Sequence, residues 1–393
     1  MIIYNITWLK NLIIQDHLKK AHKANDLKGE ELYAAMQKYP VGFHSSNVFM
    51  RIGLFLVTVT LTSFAFGFLS LVLSRTNLLE SPVYYVFLGI CCYVALEIAT
   101  RVYHHYRSGV DDALMWTSGW LLLVALYIYL DKGDYGHKHF TNELILSGFI
   151  TLLGSYFTLR FADLAMALLA FCAFIAFVFF GWYKYGFQPL STMPFLMITL
   201  ALLIYGFAKQ LDKKHWVYNN VLGMVQIGSL LTAYAAGNYF IVRELGSTMN
   251  DVTLKPDQGI PFGWFFWLWT IGIPLIYIAM GLKRKEVILL RSGLILVAAA
   301  AFTFRSYYHV LPIEMMLVIC GGLLLGLSYA VMRYLESPKH GFTAAELDDD
   351  QLLDKLKVES LIVSGTFGDG TSAPEGSRMG GGNFGGGGAS SDF

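Results

Sequence analysis

The chain has 393 residues, of which 55% are hydrophobic and 15% charged, and its net charge is +1. A soluble protein of this length carries about 25% charged residues, and the charges here gather in residues 1–51 and 333–378. This pattern excludes one large soluble core, offers no basic surface for nucleic acid, and implies an all-α polytopic transmembrane bundle with polar ends.

Residues 1–47 read as a cytosolic amphipathic helical segment. Leu9, Leu12 and Ile13 share one helical face, with Lys10, Lys19, Lys20 and Lys23 elsewhere, and a second short helix runs from about Lys28 to Lys38 before Pro40. No unbroken apolar stretch or cleavage pattern marks a secretory signal.

A transmembrane domain is expected over 48–336. A spanning helix needs about 20 mostly apolar residues, and lipid leaves no partner for unpaired backbone groups. About ten runs qualify: 50–73, 83–103, 112–130, 142–159, 161–182, 190–208, 218–241, 261–282, 286–304 and 311–334. Only Arg160 and Asp163 separate the fourth from the fifth, so nine spans stays open at this point. Pro194 and Pro274 fall inside the sixth and eighth. Trp264, Trp267 and Trp269 crowd the start of the eighth, as amphipathic rings at the headgroup level do.

After Pro338, a T-x-x-E capping box (Thr343, Glu346) and a leucine pattern imply a short cytosolic helix over 337–363. From Gly365 onward there are eleven glycines in 29 residues, so 364–393 is expected to be a disordered Gly-rich tail. With ten spans and the N-terminus inside, Lys and Arg flanking the spans number 18 inside and seven outside. That split predicts both termini in the cytoplasm.

Few ionisable groups fall inside the spans, and each is a functional candidate because its burial in lipid is costly. Glu97 has Arg101 at the i+4 spacing that lets the two pair. Asn219, Asn220, Gln226 and Asn238 make the seventh span the most polar, and together with Glu97 and Arg101 they form a candidate transport site. Arg305, Tyr308, His309 and Glu314 form a candidate external cluster beside Pro312. Gly322 and Gly326 make a G-x-x-x-G pair suited to close helix packing.

His104 and His105 fall on the inner side and His137 and His139 on the outer, so they cannot share a metal. No zinc, phosphate-loop, serine-nucleophile or dinucleotide motif is present, so no metal, cofactor or catalytic residue is assigned.

The preface KGEELYAAMQKYP, the Arg-Ile-Gly-Leu start of the first span (Arg51 to Leu54), and the closing spans LLRSGLILVAAAAFTFRSYY and PIEMMLVICGGLLLGLSYAVMRYL carry a resemblance. They resemble an uncharacterised family of bacterial polytopic membrane proteins, a domain of unknown function with a cytosolic helical N-terminal segment. The tail GGGNFGGGGASSDF resembles Gly-rich C-termini of the Bacteroidetes type. These resemblances imply a multi-pass protein of a bacterial inner membrane and supply no activity.

Three readings remain. A membrane scaffold or sensor would have membrane lipids as partners and recruit proteins through its N-terminal segment and Gly-rich tail. A small-solute or ion permease would use Glu97 and the polar seventh span. An enzyme acting on lipid-linked substrates would use the external cluster.

Overall fold

The computed structural model describes residues 2–23, 28–44, 46–132, 140–185, 189–249 and 259–307, and eight single positions between 315 and 333. The segments 337–363 and 364–393, and both His137 and His139, lie outside the described residues.

Twelve α-helices are present among the described residues, and strands are absent. Helices α1 (Ile6–Lys23) and α2 (Gly29–Lys38) form the N-terminal segment. The bundle then comprises α3 (Val48–Val72), α4 (Pro82–Arg101), α5 (Val110–Lys132), α6 (Thr141–Phe161), α7 (Leu164–Tyr185) and α8 (Pro189–Asp212). It continues with α9 (Asn219–Gly237), α10 (Tyr239–Met249), α11 (Gly263–Arg284) and α12 (Val287–Tyr307). Eight of them, α3 to α8, α11 and α12, are long and apolar enough to cross a membrane, so the chain is a multi-pass membrane protein. The eight single positions from Met315 to Arg333 have helical backbone, within the tenth expected span.

Local chemistry sets the helix ends. Ser81 caps α4 by accepting the Val83 N–H, and Pro82 follows at the first helical position, where its missing N–H costs nothing. In the largely exposed α3, Thr58, Thr60 and Ser63 donate their hydroxyls to carbonyls four residues back, which keeps them satisfied without water.

Helices α6 and α7 are separate. Ala162 turns into the left-handed region at φ 50°, and Asp163 accepts the Met166 N–H at 2.8 Å to start α7. Two residues therefore suffice for the fourth turn. The single span expected over 218–241 is corrected: it breaks at Asn238, which is extended at ψ 127°. Its Oδ1 accepts the N–H groups of Phe240 and Ile241 and so caps α10. An asparagine offers the backbone this alternative to a continued helix. The segment after 241, expected to be a loop, accordingly begins as helix.

Packing pairs the helices into antiparallel hairpins: α4 with α5, α6 with α7, α8 with α9, and α11 with α12. All four turns lie at the end of the bundle that carries the N-terminal segment, called here the proximal end. Small residues set the approach. Ser118 donates to the Gly89 carbonyl at 2.9 Å between α4 and α5, and a Cβ on Gly154 would lie 3.1 Å from that of Ala170. Two apolar centres result. One joins Leu96, Met115, Phe157, Phe161 and Met166 with Tyr4 and Leu9 of the N-terminal segment; the other joins Leu230, Tyr234, Tyr277, Leu289 and Leu296.

Candidate functional site

The proximal end of the first centre holds the densest set of buried charges. Arg51 opens α3 and is 1% exposed. Its Nε and Nη2 both contact Asp112 Oδ2 at 2.7 Å. Asp111, the preceding residue, accepts from the backbone N–H of Arg107 at 2.7 Å and of Ser108 at 2.9 Å, and from the Ser108 hydroxyl at 3.0 Å. These bonds fold the 102–109 loop back onto the start of α5. Gly109 completes the turn at φ 96°, and its backbone lies against Arg51, where a Cβ would meet the Arg51 carbonyl oxygen at 2.1 Å. Asp163 arrives from the turn between α6 and α7.

A cavity of about 10 Å³, roughly one water in size, is lined by Tyr4, Arg107, Asp111, Asp112 and Asp163 with Leu96, Met115 and Phe161. Three carboxylates thus meet two guanidinium groups out of bulk water. Burial raises the Asp163 carboxyl above the usual carboxylate range. Burial, and then the Asp111 carboxylate, keep the Tyr4 phenol protonated well above its ordinary value.

The N-terminal segment closes this end. Tyr4 is buried, and its ring meets Tyr106 edge-on at 4.8 Å and Phe43 at 5.9 Å. Trp8 lies edge-on to His104 at 5.0 Å. The Ile3 N–H donates to the Arg160 carbonyl, and the His44 N–H to the His104 carbonyl, both at 3.0 Å. Lys10 lies 5.9 Å from the Trp216 ring. The segment is therefore built into the bundle end, rather than only lying beneath it.

A second cluster surrounds Glu97. The expected pair with Arg101 is present, Nε to Oε2 at 2.8 Å. Arg160, which the sequence offered only as a turn marker, adds two bonds: Nε to Oε1 at 2.8 Å and Nη2 to Oε2 at 2.9 Å. Tyr93 Oη donates to Oε1 at 2.6 Å and is hydrogen-bonded to the Tyr156 hydroxyl. Glu97 thus ties α4 to α6 rather than serving one helix.

The other expected polar residues do not converge. Asn219 and Asn220 open α9, and Asn220 is exposed. Gln226 reaches back to Asp212 at 3.4 Å. Asn238 lies at the far end of α9, about 28 Å from Asn219 by helical rise. There its amide donates to Thr303 at 2.9 Å and Tyr234 at 3.0 Å. They act as separate interhelical ties. Arg305 ends α12 half-buried, while Tyr308, His309 and Glu314 lie outside the described residues. A Cβ on Gly322 or Gly326 would meet nothing within 4 Å among the described residues.

Arg51, Arg107, Asp111, Asp112 and Asp163 were not singled out as a site from the sequence. Each reads there as a flanking charge at a span end. The available signal was that the Asp111–Asp112 pair opens a span on the side where Arg51, Arg107 and Arg160 also fall.

No known family model matches the chain, nor does any curated protein or solved structure.

Proposed function

We propose that the chain is a membrane scaffold or sensor of a bacterial inner membrane, with both termini in the cytoplasm, whose N-terminal segment is the element that partners read. The observation that carries this reading is the seating of Tyr4 against the cluster of Arg107, Asp111, Asp112 and Asp163. On this reading the segment, held by a few backbone bonds and ring contacts over buried charges, exchanges between the docked arrangement and a released one that exposes more surface. Such a two-state element is what a ligand or partner can bias. The 18-to-seven distribution of Lys and Arg supports the cytoplasmic placement of this end.

The test uses the full chain in lipid nanodiscs. Tyr4→Ala should raise amide hydrogen exchange over Ile3–Trp8 and change the set of proteins that copurify from membranes. Raised exchange with an unaltered set of partners would overturn the reading.

A permease reading draws on Glu97 at an open surface groove. It is the weaker of the two, because the carboxylate is already taken up by Tyr93, Arg101 and Arg160. Solute or ion flux in reconstituted vesicles that Glu97→Gln abolishes would reinstate it.

A further inference from the structure

The second apolar centre also has a proximal end, and the two turns there carry a surface that the N-terminal docking does not use. Between α11 and α12 the chain reverses sharply: Lys285 enters the left-handed region at φ 55°, and the Glu286 N–H donates to the Gly281 carbonyl at 2.9 Å. Lys283, Arg284 and Lys285 are all exposed at this apex. Between α8 and α9 the Lys214 N–H returns to the Leu211 carbonyl at 2.9 Å, and Lys213 and Lys214 are exposed.

Glu286 joins the two turns. Its carboxylate accepts from Tyr205 Oη at 3.1 Å and from Lys209 Nζ, both on the last turns of α8. Lys213 follows Lys209 by four residues, so the five cations form one surface rather than two. Among the described residues of these turns, the acidic side chains are Asp212 and Glu286. Lys209 neutralises Glu286, and Asp212 Oδ2 accepts from Gln226 at 3.4 Å. Five cations thus face one remaining carboxylate. Like charges held this close repel, and the surface gains from an anion of matching extent.

The sequence supplies one. Residues 346–354, outside the described residues, hold Glu346, Asp348, Asp349, Asp350 and Asp354 and no Lys or Arg. Glu346 is 13 residues beyond Arg333. An extended chain of that length reaches up to about 45 Å, or several interhelical spacings of about 8–10 Å. Helix α12 leaves the proximal end. A further crossing returns the chain to it near Arg333 when both termini are cytoplasmic, the reading proposed above on which this inference rests.

We infer that the acidic segment 346–354 docks on the surface formed by Lys213, Lys214, Lys283, Arg284 and Lys285. Tethering raises its local concentration to about the millimolar range, which favours it over a free acidic peptide. An anionic headgroup or an acidic partner competes for the same cations, so docking sets whether this face of the bundle is open.

The experiment cross-links amines of the full chain in phosphatidylcholine nanodiscs and reads the links by mass spectrometry. Lys355, which follows the acidic run directly, should link to Lys213, Lys214, Lys283 or Lys285. Asp348→Asn combined with Asp349→Asn and Asp350→Asn leaves every amine in place and should lower the yield about fivefold. Raising salt from about 0.1 to about 1 M shortens the screening length from about 10 to about 3 Å and should lower it likewise. Absence of links to Lys355 in the wild type would overturn the proposal, as would a yield that the triple variant leaves unchanged. Surface lysines shielded from the reagent only when phosphatidylglycerol is added would assign the surface to lipid headgroups and overturn it too. A membrane-impermeant amine reagent on sealed vesicles tells the docking from the topology. Labelling of Lys28 and Lys355 from opposite sides would remove the placement of both termini in the cytoplasm, and the docking with it. Labelling from one side without links would remove the docking alone.

Discussion

Arg51 and Asp112, 61 positions apart, meet through one atom: both Nε and Nη2 of the arginine contact Asp112 Oδ2 at 2.7 Å. The pair joins the start of α3 to the start of α5, and α3 is otherwise mostly exposed. Removing either partner strands a charge in a buried site, a loss of about 3–5 kcal/mol. Arg51→Met and Asp112→Leu should each lower the thermal midpoint in detergent strongly. The double variant should recover much of the loss, because it leaves no stranded charge. Additive losses in the double variant would show that the pair is not the anchor of α3.

Gly109 lies under the same pair. At φ 96°, with a prospective Cβ 2.1 Å from the Arg51 carbonyl oxygen, it cannot carry a side chain unless α3 moves. Gly109→Ala should destabilise by more than about 2 kcal/mol. It should also free the N-terminal segment, measured as faster proteolysis between α2 and α3. Gly53→Ala, a glycine of α3 with open space around it, is the matched control and should be nearly silent.

Around Glu97 the two arginines should differ in weight. Arg160 makes two bonds to Glu97 and is 20% exposed, whereas Arg101 makes one to it and is 60% exposed. Arg101→Gln should cost no more than about 1 kcal/mol, in the range of exposed pairs. Arg160→Gln should cost about 1–3 kcal/mol, because it removes charge-assisted bonds between α4 and α6. Thermal unfolding of the two variants side by side checks the order, and the reverse order would contradict the bridging role of Arg160.

The proximal cluster also predicts a pH dependence. Burial holds the Asp163 carboxyl above its ordinary range, while the unfolded group titrates near about 3.9. Between the two values the folded state binds more protons, so stability falls as pH rises through that window. His105 acts in the opposite sense. Burial lowers its imidazole, so its contribution is lost as pH falls from about 6.5 through the lower folded value. In a His105→Gln background, adding Asp163→Asn should reduce the gain in stability seen on acidification toward about pH 4. Asparagine still caps α7, so the fold should survive. A slope left unchanged by Asp163→Asn would assign the dependence to another group.

Much of the architecture was legible because lipid imposes a simple rule. An apolar run of about 20 residues must satisfy its backbone internally, so most span positions follow from hydropathy. The short turn at Ala162–Asp163 is compatible with the sequence and became definite only through left-handed backbone at Ala162. The break at Asn238 was hidden, because an asparagine in an apolar run reads equally as glue between helices or as a cap. Its partner Thr303 lies 65 positions away.

By itself, the sequence determined that this is an all-helical, multi-pass membrane protein, and it pointed to Glu97 as an ionisable group within a span. Hydropathy and spacing within one helix are local quantities, so they can be read along a chain. Tertiary structure alone decided which charges share a site. Arg51, Arg107, Asp111, Asp112 and Asp163 come from the starts of two helices and from two turns, and each looks like an ordinary flanking charge. Only hairpin packing, with the four hairpin turns at one end of the bundle and Tyr4 folded over them, removes them from water together. Their cost and their chemistry arise from that shared burial, a property of distances between segments that no stretch of sequence contains.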